Sequence, residues 1–304
     1  MMRHLANSKL LKIVAVMATI AAFYLLSECV DWLELKAHIL SIRWPYLLLV
    51  SALYFVSLSV RSCRAFLLLG AKNLTWLRAQ MVISQYAFLN YFLPLKLGEL
   101  SFVVLLNKAK VPMLKAATVW VVFRVLDLVT VALFSVLFIK YFVFIDIEIN
   151  TWLLAALLPF SVLLFIFKGT FVAALKELVR VGRARLLACF GLTVLSWWLV
   201  YLMYHVAFIS ISTPVPLGIS VATLSLLTLV SILPVSTVAN VGFFQLCATL
   251  VLSQLGMDSH SSLATGTALH IVITVCVIVV FLLTLALNKL CVIWFNGKYR
   301  ASKA

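Results

Sequence analysis

Apolar runs recur along the chain from residue 10 to residue 295, separated by short polar segments. A helix rises about 1.5 Å per residue and the hydrocarbon core of a bilayer is about 30 Å thick, so one crossing needs roughly 20 apolar residues. By that length the sequence predicts spanning helices near 10–27, 44–62, 115–139, 150–168, 186–209 and 264–288. Two further apolar stretches, 79–106 and 217–255, do not fit as single helices. Turn residues break each near its middle: Leu93-Pro94-Leu95-Lys96-Leu97-Gly98 in the first, and Leu233-Pro234-Val235-Ser236-Thr237 through Asn240-Val241-Gly242 in the second. The halves are then only about 13 to 19 residues long, which suits a hairpin that enters and leaves on one side.

The fold class expected is an all-α polytopic membrane protein with about six full transmembrane helices and two re-entrant hairpins, or eight crossings if the hairpins count as spans. No polar block is long enough for a separate globular unit, so residues 1–304 read as a single transmembrane domain. A span, a hairpin and a span over 44–139 are followed by their inverse over 186–288. Opposed repeats whose broken elements meet near the midplane are a recurrent transporter architecture, because irregular backbone at that depth is tolerated where it lines a cavity. Two unrelated proline kinks in a helical bundle remain the alternative.

Composition strengthens the membrane assignment. The chain is 65% hydrophobic and 11% charged, with a mean hydropathy of +1.19, far from a soluble domain. The formal net charge of +15 does not point to nucleic acid, because Lys and Arg sit at the ends of apolar runs and not along one face. Under the hairpin topology 19 of the 24 Lys and Arg fall on one side, Arg61 and Arg64 among them, while Lys36, Arg43 and Lys140 fall on the other. The positive-inside rule then puts both termini on the cytoplasmic side of a cytoplasmic (inner) membrane. The segment 171–185 is basic and amphipathic and is expected on the cytoplasmic interface against anionic lipid. The run Leu10 to Leu26 follows basic residues as a signal peptide does, but lacks a small-x-small cleavage pattern and is expected to stay as the first helix. Six cysteines stand singly with no metal-ligand spacing, so neither disulfides, nor a metal, nor another cofactor is expected.

Ionisable groups at membrane depth cost a few kcal/mol or more each and mark functional candidates. Lys96 and Glu99 lie at the first hairpin turn. Arg124 and Asp127 lie in the third span, about 13 to 18 Å beyond Lys115 along the helix, and their i, i+3 spacing puts them on one face. Arg offers a planar fork to a phosphate and Lys a point charge, while the carboxylates orient them or carry a proton. The same four residues also suit plain ion pairs that clamp the hairpin to the third span. The second hairpin adds Asn240 and Gln245 beside Ser236, Thr237 and Gly242, suited either to a headgroup or to freed backbone groups. His205 and His270 are expected to be hydrogen-bonded packing residues.

The order Leu93-Pro94, Gly98-Glu99, then Phe123-Arg124-Val125-Leu126-Asp127-Leu128, and later Leu233-Pro234 with Gly242, resembles the flippase-like family typified by the transmembrane region of lysylphosphatidylglycerol synthases. The resemblance covers nearly the whole chain and implies binding or translocation of a lipid with a charged headgroup. Members commonly carry a Glu where this chain has Gln245, which puts a proton role there in doubt. Nothing after Lys289 is long enough to supply the synthases' aminoacyl-transferring domain.

The leading expectation is therefore a flippase-like protein that binds or translocates a lipid with a phosphate-containing headgroup, a phospholipid or a polyprenyl-phosphate-linked glycan. Its substrate-binding residues would be Lys96, Glu99, Arg124, Asp127, Asn240 and Gln245, with no catalytic set. Two alternatives stay open, an integral-membrane transferase acting on lipid-linked sugars and an accessory subunit of a cell-envelope polysaccharide pathway. The partners expected are an anionic lipid or lipid-linked substrate and the membrane, with no nucleic acid; a second copy of the chain or an envelope-pathway protein remains open.

Overall fold

The computed structural model describes residues 9–70, 74–94, 97–138, 182–230 and 237–301. Among these residues the secondary structure is wholly helical. In chain order the helices are α1 (Lys9–Cys29), α2 (Trp32–Leu40), α3 (Trp44–Leu69), α4 (Trp76–Phe92), α5 (Leu97–Lys108), α6 (Met113–Leu137), α7 (Arg183–Ser210), α8 (Leu217–Val230), α9 (Phe243–Leu252) and α10 (Ser259–Ala301). Single 3-10 turns lie at Val238–Asn240 and Ser253–Leu255. Five segments are long and apolar enough to cross a bilayer: α3, α6, α7, Val238–Leu255 and the Ser259–Cys291 part of α10. The chain is a multi-pass, all-α membrane protein. The span expected at 150–168 and the amphipathic stretch 171–185 lie outside the described residues, except for the last few residues of the latter, which begin α7.

Helix α3 corrects the sequence reading in a way that matters for the site. The span expected at 44–62 runs on to Leu69, because the five residues after Arg64 are again apolar. Gly70 then ends it with φ +78°, a conformation open to glycine, while its N–H bonds to the Phe66 carbonyl. Arg61 and Arg64, counted above on the cytoplasmic side at the end of that span, are thus well inside a helix.

The first broken stretch folds as α4 and α5, of 17 and 12 residues. Such helices are about 25 and 18 Å long, short of the roughly 30 Å of hydrocarbon. They pack against each other at Gly98, where an added Cβ would sit 2.2 Å from the Asn90 Cα and 2.7 Å from the Leu89 carbonyl oxygen. Only glycine permits that approach. The second broken stretch folds as α8 and α9, of 14 and 10 residues, and α9 meets α10 at another small-residue contact, Gly266 against Ala248. The buried hydroxyls of Ser62 and Thr118 bond back to their own helices, to the Leu58 and Leu114 carbonyls, and so stay satisfied without water.

The packing has a regular scheme. The neighbours α3–α4, α4–α5 and α5–α6 are matched by α7–α8, α8–α9 and α9–α10. Across the halves, α4 against α10 is matched by α8 against α6, and α3 against α10 by α7 against α6. The most extensive contact, α3 with α7, is its own counterpart under that exchange. Tyr201, Phe208, Phe244 and Leu269 lie fully buried at the centre of the larger core.

Candidate functional site

Helical spacing gathers the polar side chains. On α3, Tyr54, Leu58, Arg61 and Arg64 follow one stripe at i, i+4, i+7 and i+10, and on α6 Trp120, Arg124 and Asp127 do so at i, i+4 and i+7. On α4, Ile83, Tyr86, Ala87 and Asn90 form a third stripe. The three stripes face one cavity of about 220 Å³, which Phe102 of α5, Leu224 of α8 and Asn240 close.

Two ion-paired groups engage the arginines of its wall, one through Asp127 in the wall and one through Glu99 beside it. Arg124 bonds both the Glu99 carboxylate and the Tyr86 hydroxyl. The same Glu99 oxygen accepts the Tyr86 O–H and the Trp120 indole N–H, each at 3.1 Å. Arg64 donates to Asp127 Oδ1 at 2.7 Å and to Thr193 Oγ1 at 2.9 Å, and Trp197 Nε1 donates to the same carboxylate oxygen at 3.1 Å. Arg124 also reaches the other Asp127 oxygen at 4.0 Å, which joins the two groups into one network. Each carboxylate is thus engaged by a guanidinium and an indole N–H, an arrangement that positions charge inside a low-dielectric core.

Arg61 is the exception. Among the described residues no carboxylate stands at ion-pair distance from it. Its guanidinium lies 5.5 Å from the Trp197 ring centre, and its Nε is buried without a hydrogen-bond partner. Arg64 Nε and Asn90 Oδ1 are likewise buried and unpartnered. Among the residues that line the cavity, three guanidiniums, of Arg61, Arg64 and Arg124, stand with one carboxylate, of Asp127, an arrangement that can hold an anion.

Of the residues expected from sequence, Glu99, Arg124 and Asp127 come together here and Asn240 joins them from the second hairpin. Lys96 lies outside the described residues. Gln245 goes elsewhere. Its Oε1 accepts the Gly242 N–H at 2.8 Å, so its Nε2 faces His270 Nδ1 at 2.9 Å, while His270 Nε2 donates to the Ala239 carbonyl at 2.9 Å. These bonds lock a turn in which Ala239 and Asn240 hold φ of 52° and 59° in succession. Left-handed backbone at two non-glycine residues is strained, and here it directs Asn240 to the cavity. His270 is a hydrogen-bonded packing residue, stacked on Phe244, as expected.

The sequence reading missed Arg61, Arg64, Tyr86, Trp120, Thr193 and Trp197. One signal for the arginines was present, the apolar run that resumes after Arg64. Trp197, Tyr201 and Tyr204 are buried, and Trp197 is a partner of Asp127.

A family model described as the lysylphosphatidylglycerol synthase TM region matches residues 10–280. No curated protein and no solved structure matches the chain.

Proposed function

Given that the chain belongs to the lysylphosphatidylglycerol synthase transmembrane-region family, we propose that it is a flippase-like protein that binds or translocates a lipid by a phosphate-containing headgroup. The observation that carries the proposal is the cavity enclosed by membrane helices, which Arg61, Arg64 and Arg124 line. A charge kept in such a place is costly, by several kcal/mol or more, and persists where function needs it. Arg124 holds the phosphate, Glu99 and Asp127 orient the arginines, and Asn240 touches the headgroup from the second hairpin. The packing scheme that exchanges 44–139 with 186–288 supports opposed repeats around this cavity. The distribution of Lys and Arg supports an inner membrane with both termini cytoplasmic.

Native mass spectrometry of the detergent-purified protein and of Arg124→Ala tests the proposal. The expected result is a co-purifying phospholipid or polyprenyl phosphate that the folded variant loses. Equal retention by both would reduce the network to a clamp between helices and sink the headgroup site.

A further inference from the structure

We infer that the turn 237–242 is a moving gate on the cavity, that Gln245 and His270 form its latch, and that the first hairpin is the fixed frame against which it opens. Mobility of the turn stands apart from the headgroup reading, while what passes the gate rests on it. The two halves carry matching pairs. Glu99 is the third residue of α5 and Arg124 the twelfth of α6, and the two bond. Gln245 is the third residue of α9 and His270 the twelfth of α10, and they bond as well. Each member of the second pair lies 146 residues after its counterpart. The central contact keeps a matching register, since Ser57, fourteenth in α3, donates to the carbonyl of Ser196, fourteenth in α7, at 3.0 Å. Gln245 and His270 thus stand in the second half where Glu99 and Arg124 stand in the first, with neutral groups in place of charged ones.

The exchange of charge for neutrality decides which hairpin yields. Glu99 is bonded by a guanidinium, a phenol and an indole, and charge-assisted bonds are roughly twice as strong as neutral ones. Gly98 also seats α5 directly on the Asn90 backbone. The turn 237–242 is held more lightly. His270 Nε2 donates to the Ala239 carbonyl, Gln245 Oε1 accepts the Gly242 N–H, and Thr19 Oγ1 of α1 accepts the Val238 N–H at 3.2 Å. The other imidazole nitrogen accepts from the Gln245 amide, so His270 is uncharged in this arrangement. Left-handed backbone at Ala239 and Asn240 works against these bonds, and opening relieves it. Helix α9 is seated on α10 by the contact of Gly266 with Ala248, so the piece that moves is the turn and not the helix. Leu224 and Asn240 are what the second half adds to the cavity lining. Withdrawal of the turn takes Asn240 away and opens the cavity toward that half.

Hydrogen–deuterium exchange of the whole protein in detergent reads the mobility, and movement of NBD-phosphatidylglycerol between liposome leaflets, followed by dithionite bleaching, reads its use. Wild type is compared with His270→Phe, which keeps a ring against Phe244 and removes both imidazole bonds, and with Gln245→Glu/His270→Arg, which copies the first pair. Thermal unfolding verifies that each variant is folded. In wild type the bonded amides of Asn240, Val241 and Gly242 are expected to be at least about tenfold less protected than those of residues 101–108 in α5. His270→Phe is expected to lower protection of the turn by about tenfold more and to leave α5 unchanged. A turn as well protected as α5, or one that does not respond to His270→Phe, would overturn the gate. The charged copy is expected to protect the turn and to slow lipid movement by about tenfold, with lipid retention in native mass spectrometry at the wild-type level. If the copy does not fold, His270→Phe decides: faster movement supports the gate, and movement at the wild-type rate overturns its part in passage. Wild type that retains no phosphate lipid would overturn the headgroup reading, and the exchange data would still decide whether the turn moves.

Discussion

Asp127 accepts Arg64 and Trp197 in a part of the structure where Arg64 is only 3% exposed. Removing one partner of such a pair leaves the other charge buried alone, at a cost of about 3–5 kcal/mol. Asp127→Ala is therefore expected to lower the thermal midpoint in detergent strongly, and Arg64→Met/Asp127→Leu to recover most of it without recovering lipid binding. A double variant as unstable as the single one would show that the pair is not the cause. At this scale the sequence disclosed half the site. Glu99, Arg124 and Asp127 stand out because a charge within an apolar run is conspicuous. Arg61 and Arg64 were hidden because a charge near the end of such a run looks the same whether the helix stops there or continues. Tyr86, Trp120 and Trp197 were hidden because aromatic residues are ordinary membrane packing, and only their Nε1 and hydroxyl partners set them apart.

Breaks in the apolar pattern were legible at the scale of elements, and the proline and glycine at each break were the signals. Their division of labour was not, since the two roles of glycine in the hairpins depend on what lies opposite. Gly98→Ala pushes a methyl into the Asn90 backbone and is expected to cost at least the 1–3 kcal/mol typical of overpacking, seen as a lower midpoint and weaker lipid retention. Gly191→Ala on α7 meets nothing within 4 Å and is expected to be neutral or slightly stabilising. Equal effects of the two would remove the close approach from the account of the hairpin. The second hairpin predicts a gain of pH dependence. In Gln245→Glu a carboxyl oxygen replaces the amide N–H that faces His270 Nδ1, so the pair must take up a proton to keep its bond. The protonated form is favoured by folding, so stability is full at low pH and falls as pH rises, by about 1–3 kcal/mol for an unsatisfied buried group. The wild-type midpoint should not fall as pH rises over the same interval, and a variant profile parallel to it would mean that the turn does not depend on this bond.

For the molecule as a whole, the helical class and the spans of α3, α6, α7 and α10 followed from length and hydropathy, whereas the meeting of the two broken stretches followed from nothing local. It comes from the contact of α3 with α7, which brings Arg64 to Thr193, and from the strained turn that presents Asn240. Shortness of α4 and α5 makes one further expectation. In a cysteine-free background, Pro94→Cys should resist a membrane-impermeant maleimide added from either side, while Lys110→Cys should react from the cytoplasmic side. Ready labelling at 94 from outside would make the hairpin a pair of full crossings. The surplus of arginine along the cavity has a consequence for energy supply. On the proposed reading, an anionic headgroup that leaves the cavity and crosses without a companion ion carries its charge through the transmembrane voltage, about 2.3 kcal/mol per elementary charge per 100 mV. An interior-negative potential then drives such lipid toward the outer leaflet without any chemical fuel, and in liposomes bearing a valinomycin-set potassium potential the leaflet ratio should follow the voltage and invert with its sign.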